Sequence, residues 1–176
     1  IIYYKESSSD GIRYSSVSNV TRVAESITKA VKEAEEALGI KITQAVVGMP
    51  KFPVRQESNT AKVEDRGYAT DITLEDIEEL KSFAQNSYPL EHPDKESIYG
   101  AVAQSFSDGE NFQIIENEII GMVSDTLEGN FKIFIGKKRD LYNIDTAMTK
   151  AGIAPTRKYF TADSTAKAIL TDSEME

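Results

Sequence analysis

His92 is the single histidine of the chain, and it sits beside Pro93 in a stretch that reads as a loop. Proton transfer and metal ligation both need a second group within reach, and His92 has no Ser, Cys or second His placed to serve it. The sequence therefore assigns it neither role. Glu75, Asp76, Glu78 and Glu79 crowd four carboxylates together, but they fall at the start of a helix, where acids favour the dipole and meet water. They read as a solvated face. Gly136-Lys137-Lys138-Arg139 follows a strand in the manner of a phosphate cradle, yet a Walker loop needs Gly, four residues, then Gly-Lys and a hydroxyl residue. Here the preceding glycine is seven positions back and no hydroxyl follows, which leaves a basic strand-to-helix turn. Asn19-Val20-Thr21 is formally a glycosylation sequon, but Asn19 also stands where a helix needs its cap. No residue is assigned to catalysis, to a cofactor or to a metal.

Lys51-Phe52-Pro53-Val54-Arg55 is of a different kind, because it sets an aromatic and two cations at an expected hairpin tip and edge. Interfaces concentrate exposed aromatics and Arg, and edge strands can join sheets between molecules. Lys51, Phe52 and Arg55 are the candidate interface residues. The competing reading folds Phe52 back onto the core, and both stay open.

The elements that must position these residues follow from periodicity and punctuation. Ile1-Ile2-Tyr3-Tyr4 is strand-like, and Ser7-Ser8-Ser9-Asp10-Gly11 is a turn cluster. Val20, Val23, Ala24, Ile27, Val31, Ala34 and Leu38 recur at helical spacing after Asn19, with Glu25–Lys29 and Lys32–Glu36 pairs on the other face, and Gly39 ends the run. Residues 40–49 and 54–63 read as two strands joined through Pro50-Lys51-Phe52-Pro53, an antiparallel hairpin. Thr73 caps a second helix with Asp76 reaching back, and Ile72 can staple onto Ile77. Leu80 and Ala84 continue its apolar stripe. Residues 97–107 form a further strand, Asp108-Gly109-Glu110-Asn111 a turn, and residues 112–115 a short strand, while residues 116–129 give no assignment. From Phe131 the pattern becomes strand, helix from Asp140, strand from Arg157, a spacing that builds parallel strands with a right-handed crossover.

Composition sets outer limits on function. With 40% hydrophobic and 28% charged residues the chain reads as a soluble globular protein, and no apolar run nears the roughly 20 residues of a spanning helix. Zero cysteines exclude disulfides, Cys-ligated zinc and a thiol nucleophile. Twenty basic against 29 acidic residues, a net of −9, oppose both a broad nucleic-acid footprint and attraction to anionic lipid. The first residue is Ile rather than Met, and the chain is expected to begin inside an element of a larger protein.

A spaced set of short words runs through these elements: Ala34-Glu35-Glu36-Ala37-Leu38-Gly39, Ala45-Val46-Val47-Gly48, Ile72-Thr73-Leu74-Glu75-Asp76-Ile77, Gln104-Ser105-Phe106, Ala151-Gly152-Ile153 and Ala168-Ile169-Leu170-Thr171-Asp172-Ser173-Glu174. In order and spacing it resembles the FtsA family of bacterial cell-division proteins, which are actin-like ATPases. That resemblance implies a mixed α+β and α/β fold. Residues 15–129 resemble the family's insert of strand-helix-strand-strand (SHS2) type, domain 1C, an antiparallel sheet with packed helices. Residues 1–14 and 130–176 resemble flanking parts of domain 1A, the ribonuclease-H-like lobe.

The resemblance implies a non-catalytic interaction role in division: contacts between filament subunits and recruitment of division proteins at the septum. ATP and magnesium are expected for the parent and no cofactor for this segment. Both phosphate loops, the FtsZ-binding lobe and the membrane-targeting helix of the family would lie outside it, so no direct membrane contact is expected here. The parent is expected in the cytoplasm, at the inner face of the inner membrane of the division site. Two departures keep alternatives in view: Gly48 runs into Met49-Pro50-Lys51 where the family often has Gly, aliphatic, Ser, Gly, and Lys132-Ile133 replaces a common histidine. The alternatives are a pilus-assembly PilM-like ATPase, a phosphotransfer enzyme of the actin and sugar-kinase superfamily, and a self-contained adaptor module.

Overall fold

A computed structural model of the chain describes residues 1–49, 54–64, 70–160, 164–165 and 168–169. In chain order the elements are β1 (Ile12–Arg13), β2 (Ser16–Val17), α1 (Val20–Leu38), β3 (Gln44–Met49), β4 (Arg55–Val63), β5 (Thr70–Asp71) and α2 (Leu74–Ser87). They continue with β6 (Glu96–Ser107), α3 (Glu116–Ile119), β7 (Val123–Ser124), β8 (Leu127–Lys137), α4 (Lys138–Lys150) and β9 (Ala154–Phe160). The fold is mixed α+β with small sheets. The described residues divide by packing into two units, one made of residues up to 49 and from Lys137 onward, the other of Val54 to Gly136. The boundaries expected from the family resemblance, 14/15 and 129/130, follow sequence words, whereas these follow packing.

In the first unit, β1 and β2 form a tight hairpin whose turn residues Tyr14 and Ser15 both have positive φ, the hand that matches strand twist in a two-residue loop. Asn19 then caps α1, its side chain accepting from the Arg22 N–H at 3.1 Å. Gly39, at φ 66°, closes the helix in the left-handed region, and its N–H donates to the Glu35 carbonyl at 2.8 Å. The Glu35 carboxylate accepts from the Ile42 N–H at 2.8 Å, tying the segment after the helix back to its last turn. Val23 and Ala24 are the buried residues of α1, with Val20, Ile27, Val31, Ala34 and Leu38 half-buried. Helix α4 packs on α1 and β9 through Ile144, Ala147 and Met148, a three-four spacing that sets all three on one face. β3 pairs with β9 in parallel, from Gln44↔Ala154 to Met49↔Phe160, with a register irregularity after Ala45 opposite Pro155.

The second unit is a three-stranded sheet in the order β4-β8-β6 with α2 against one face. β4 and β8 run antiparallel in unbroken register from Arg55↔Ile135 to Val63↔Leu127. Alternation places Leu127, Gly129, Phe131, Ile133 and Ile135 inward, all buried. Ile77, Leu80 and Ala84 of α2 meet them, and Ile72, Phe106, Ile114 and Ile119 complete one core. Burying each of the larger side chains contributes about 1.5–3 kcal/mol. Phe106 and Phe131 meet edge to face at 6.1 Å. Gly129 is required by this packing: a Cβ there would stand 2.6 Å from the Phe131 ring and 3.0 Å from Leu80. The capping box forms as expected, the Asp76 N–H donating to the Thr73 hydroxyl at 3.2 Å and the Thr73 N–H to the Asp76 carboxylate at 2.7 Å.

Several pairings differ from expectation. Residues 40–49 and 54–63 do not form a hairpin with each other: β3 pairs with β9 and β4 with β8, each more than sixty residues away. β8 and β9 are likewise not parallel neighbours across α4, because β8 is held between β4 and β6. The parallel partner of β9 is β3, so β3, α4 and β9 make the parallel unit, with residues 54–136 intervening in sequence. Ile1 to Tyr4 form no strand; a strand needs a hydrogen-bonding neighbour, and the described residues give it none. Residues 112–115 contribute a single bridge, Phe106↔Ile114, and the unassigned stretch holds α3 and β7. The last word, residues 168–174, lies largely outside the described residues.

Candidate interaction surface

Of the three candidate interface residues, Lys51 and Phe52 lie outside the described residues, and Arg55 opens β4. The Arg55 guanidinium engages the Glu96 carboxylate through two hydrogen bonds, Nη1 to Oε1 at 2.9 Å and Nη2 to Oε2 at 3.3 Å, and its Nε lies 3.5 Å from Glu57. Since β8 separates β4 from β6, this pair links the two outer strands across the central one. The planar fork of Arg is what makes such a two-point bond specific.

The other chemistry-bearing groups fall where local rules put them. His92 is exposed, and its carbonyl accepts from the Lys95 and Glu96 N–H groups. Lys137, Lys138 and Arg139 are exposed at the β8-to-α4 junction, where α4 has no side-chain cap. Asp108 organises the turn after β6 by accepting from the Asn111 N–H at 2.6 Å, the Asn111 amide at 2.9 Å and the Glu110 N–H at 3.0 Å. Those bonds hold its carboxyl below the usual aspartate range. The Ile42 N–H, followed by Lys41, does the same for Glu35. Among the described residues no group of three or more His, Asp or Glu could hold a metal ion, and no helix is long and apolar enough to cross a membrane.

A groove beside α2 was not singled out by the sequence. Where β4 and β8 end at the Val63↔Leu127 pair, α2 leaves an open groove of about 540 Å³ lined by Val63, Thr70, Leu80, Phe83 and Leu127, with Asp76 and Glu79 at its rim. Leu80 and Leu127 form its buried floor, while Phe83 is 55% and Val63 42% exposed. The size falls within the range of binding clefts. One sequence signal pointed to it: Phe83 is an aromatic at the margin of the Ile77-Leu80-Ala84 stripe, beyond the positions the core requires. The opposite sheet face is polar. There the Thr60 hydroxyl donates to Asn130 Oδ1 at 2.8 Å and the Asn130 amide to the Ser105 hydroxyl at 3.3 Å, a chain across all three strands.

No family model matches the chain. It is 28% identical over its whole length to the cell division protein FtsA of Enterococcus faecalis and 29% identical, again over its whole length, to that of Enterococcus hirae. It is 25% identical over its whole length to the FtsA of Streptococcus pneumoniae. In each case it spans 37–39% of the relative's length, about two fifths of the curated proteins it matches. From its first residue to its last, the chain is FtsA-like.

Proposed function

We propose that the chain is the interaction-bearing segment of a bacterial cell-division protein, with residues 54–136 as a non-catalytic inserted unit that makes contacts rather than chemistry. The observation that carries this reading is the build of that unit: strand β4, helix α2, then strands β6 and β8 in one sheet, the strand-helix-strand-strand order of the family's insert. It is set in sequence between β3 and α4 of a parallel β3-α4-β9 unit, as an insert in an actin-like lobe would be. The acidic groove beside α2 adds a surface suited to protein contact. In this reading the parent binds ATP and magnesium elsewhere, forms subunit contacts and works with division proteins at the cytoplasmic face of the membrane. The test is to capture the parent from gently crosslinked cells, once intact and once with residues 54–136 replaced by a short linker. Septal division proteins should come with the intact parent and be lost from the replaced one. Capture of pilus components, or unchanged capture without the unit, would overturn the reading.

A further inference from the structure

An aspartate followed by glycine can close on itself, because the glycine nitrogen carries no neighbouring Cβ to block its approach to the side-chain carboxyl. The chain holds that pair twice, at Asp10-Gly11 and Asp108-Gly109. Both glycines have positive φ, 88° and 94°, so the two turns match in sequence and in glycine conformation. They differ in what holds the reacting groups. The Asp108 carboxylate accepts from the Glu110 N–H, the Asn111 N–H and the Asn111 amide, bonds that keep it charged and so a poor target for a nucleophile. The Gly109 N–H donates to the Ser107 hydroxyl at 3.1 Å, and the Asp108 carbonyl accepts from the Ser124 hydroxyl at 2.9 Å. The Phe106↔Ile114 bridge closes that turn from both sides. At the other pair, the Asp10 side chain is 69% exposed and its carboxylate meets Arg22 at 3.4 Å, while among the described residues no hydrogen bond engages the Gly11 N–H. Gly11 itself is anchored, its carbonyl accepting from the Ser18 and Asn19 N–H groups and a Cβ there standing 2.6 Å from the Asn19 carbonyl oxygen. The chain before it is not. Residues 4–10 are exposed and belong to no helix or strand, so rotation about the Asp10 backbone moves this segment and disturbs no sheet.

We propose that Asp10-Gly11 is a site of spontaneous backbone modification, at which the native chain forms isoaspartate, while the fold protects Asp108-Gly109. The Gly11 nitrogen attacks the Asp10 side-chain carboxyl carbon. A C–N bond forms, the nitrogen gives up its proton, and the carboxyl hydroxyl leaves with it as water, closing a succinimide ring. Water then reopens the ring, and opening at the former backbone carbonyl leaves the main chain running through the old side chain. The water lost is regained, so the step consumes no other reactant. The product lengthens the main chain by a methylene and moves the carboxylate, which breaks the fit of Asp10 to Arg22 and of its N–H to the Ser26 hydroxyl. The Gly11 carbonyl keeps its hold on the start of α1. The inference is independent of the function proposed for residues 54–136.

The experiment ages the whole 176-residue chain for weeks at neutral pH and digests it with trypsin, which places Asp10 in the peptide Glu6–Arg13 and Asp108 in Glu96–Lys132. Chromatography with electron-transfer fragmentation resolves isoaspartate from aspartate at each position, and the unchanged mass separates isomerisation from deamidation of asparagine. Isoaspartate at Asp10 should exceed that at Asp108 by about tenfold or more, because the Asp108 turn reacts only while locally open. In urea that unfolds the chain, the two sites should react at similar rates. Asp10→Glu should remove the signal from the first peptide and leave the melting temperature near that of the unaltered chain, since the side chain is exposed. Equal accumulation at the two sites in the native chain, or faster reaction at Asp108, would overturn the proposal. So would an Asp108 that stays inert in urea, because local sequence rather than the fold would then be protecting it.

Discussion

Arg55 and Ile135 stand directly opposite each other in the antiparallel register of β4 and β8. Because these residues lie at the two ends of the 54–136 unit, the chain enters and leaves that unit at one place. A domain whose ends meet can be inserted into another without straining it. The polypeptide of residues 54–136 alone should therefore fold, giving one cooperative transition in calorimetry. A broad transition, or none, would show that the unit needs the rest of the chain.

The Arg55–Glu96 pair closes the same end of the sheet. Its side chains are 31% and 22% exposed, so solvent screens part of the attraction. A double-mutant cycle with Arg55→Ala and Glu96→Ala, followed by urea denaturation, should give a coupling of about 1 kcal/mol. Coupling near zero would mean that the outer strands are joined through β8 alone.

Gly129 faces the Phe131 ring and Leu80 at distances that leave no room for a methyl group. Gly129→Ala should destabilise the chain by about 1–3 kcal/mol through overpacking, measured as a lower urea midpoint with unchanged slope. An unaffected midpoint would show that α2 can move away from β8 at little cost.

Thr73→Ala removes the hydroxyl that caps α2 and should cost about 1 kcal/mol, while Thr73→Ser should recover most of it. Hydrogen exchange confined to the first turn of α2 would identify the loss as a capping effect. Faster exchange throughout the sheet would not fit that assignment.

Asp108 sets a pH dependence with a definite sign. Its folded carboxyl titrates below the ordinary aspartate value of 3.8 because the Asn111 and Glu110 N–H groups stabilise the charged form. Its contribution is therefore present above that ordinary value and lost as pH falls through the lower folded one. The difference in melting temperature between the chain and Asp108→Asn should be constant near neutrality and shrink in the acid range. A difference that persists unchanged in acid would place the effect elsewhere.

What the amino-acid sequence determined by itself was local. Asn19, Gly39 and the Thr73/Asp76 box mark helix ends because capping bonds close within a few residues, and the family words were legible for the same reason, being short and ordered. What tertiary structure alone decided was pairing. Alternation of apolar residues tells a strand which face is buried and leaves its neighbour open, so β3 could not announce β9, nor β4 its partner β8. Arg55 illustrates the same limit: its charge was visible, but its partner Glu96 lies 41 positions away, so the ion pair had no local signature. The groove depends on Val63, Leu80, Phe83 and Leu127 arriving from three elements, and nothing in the chain joins those four residues until the sheet and α2 close around the core.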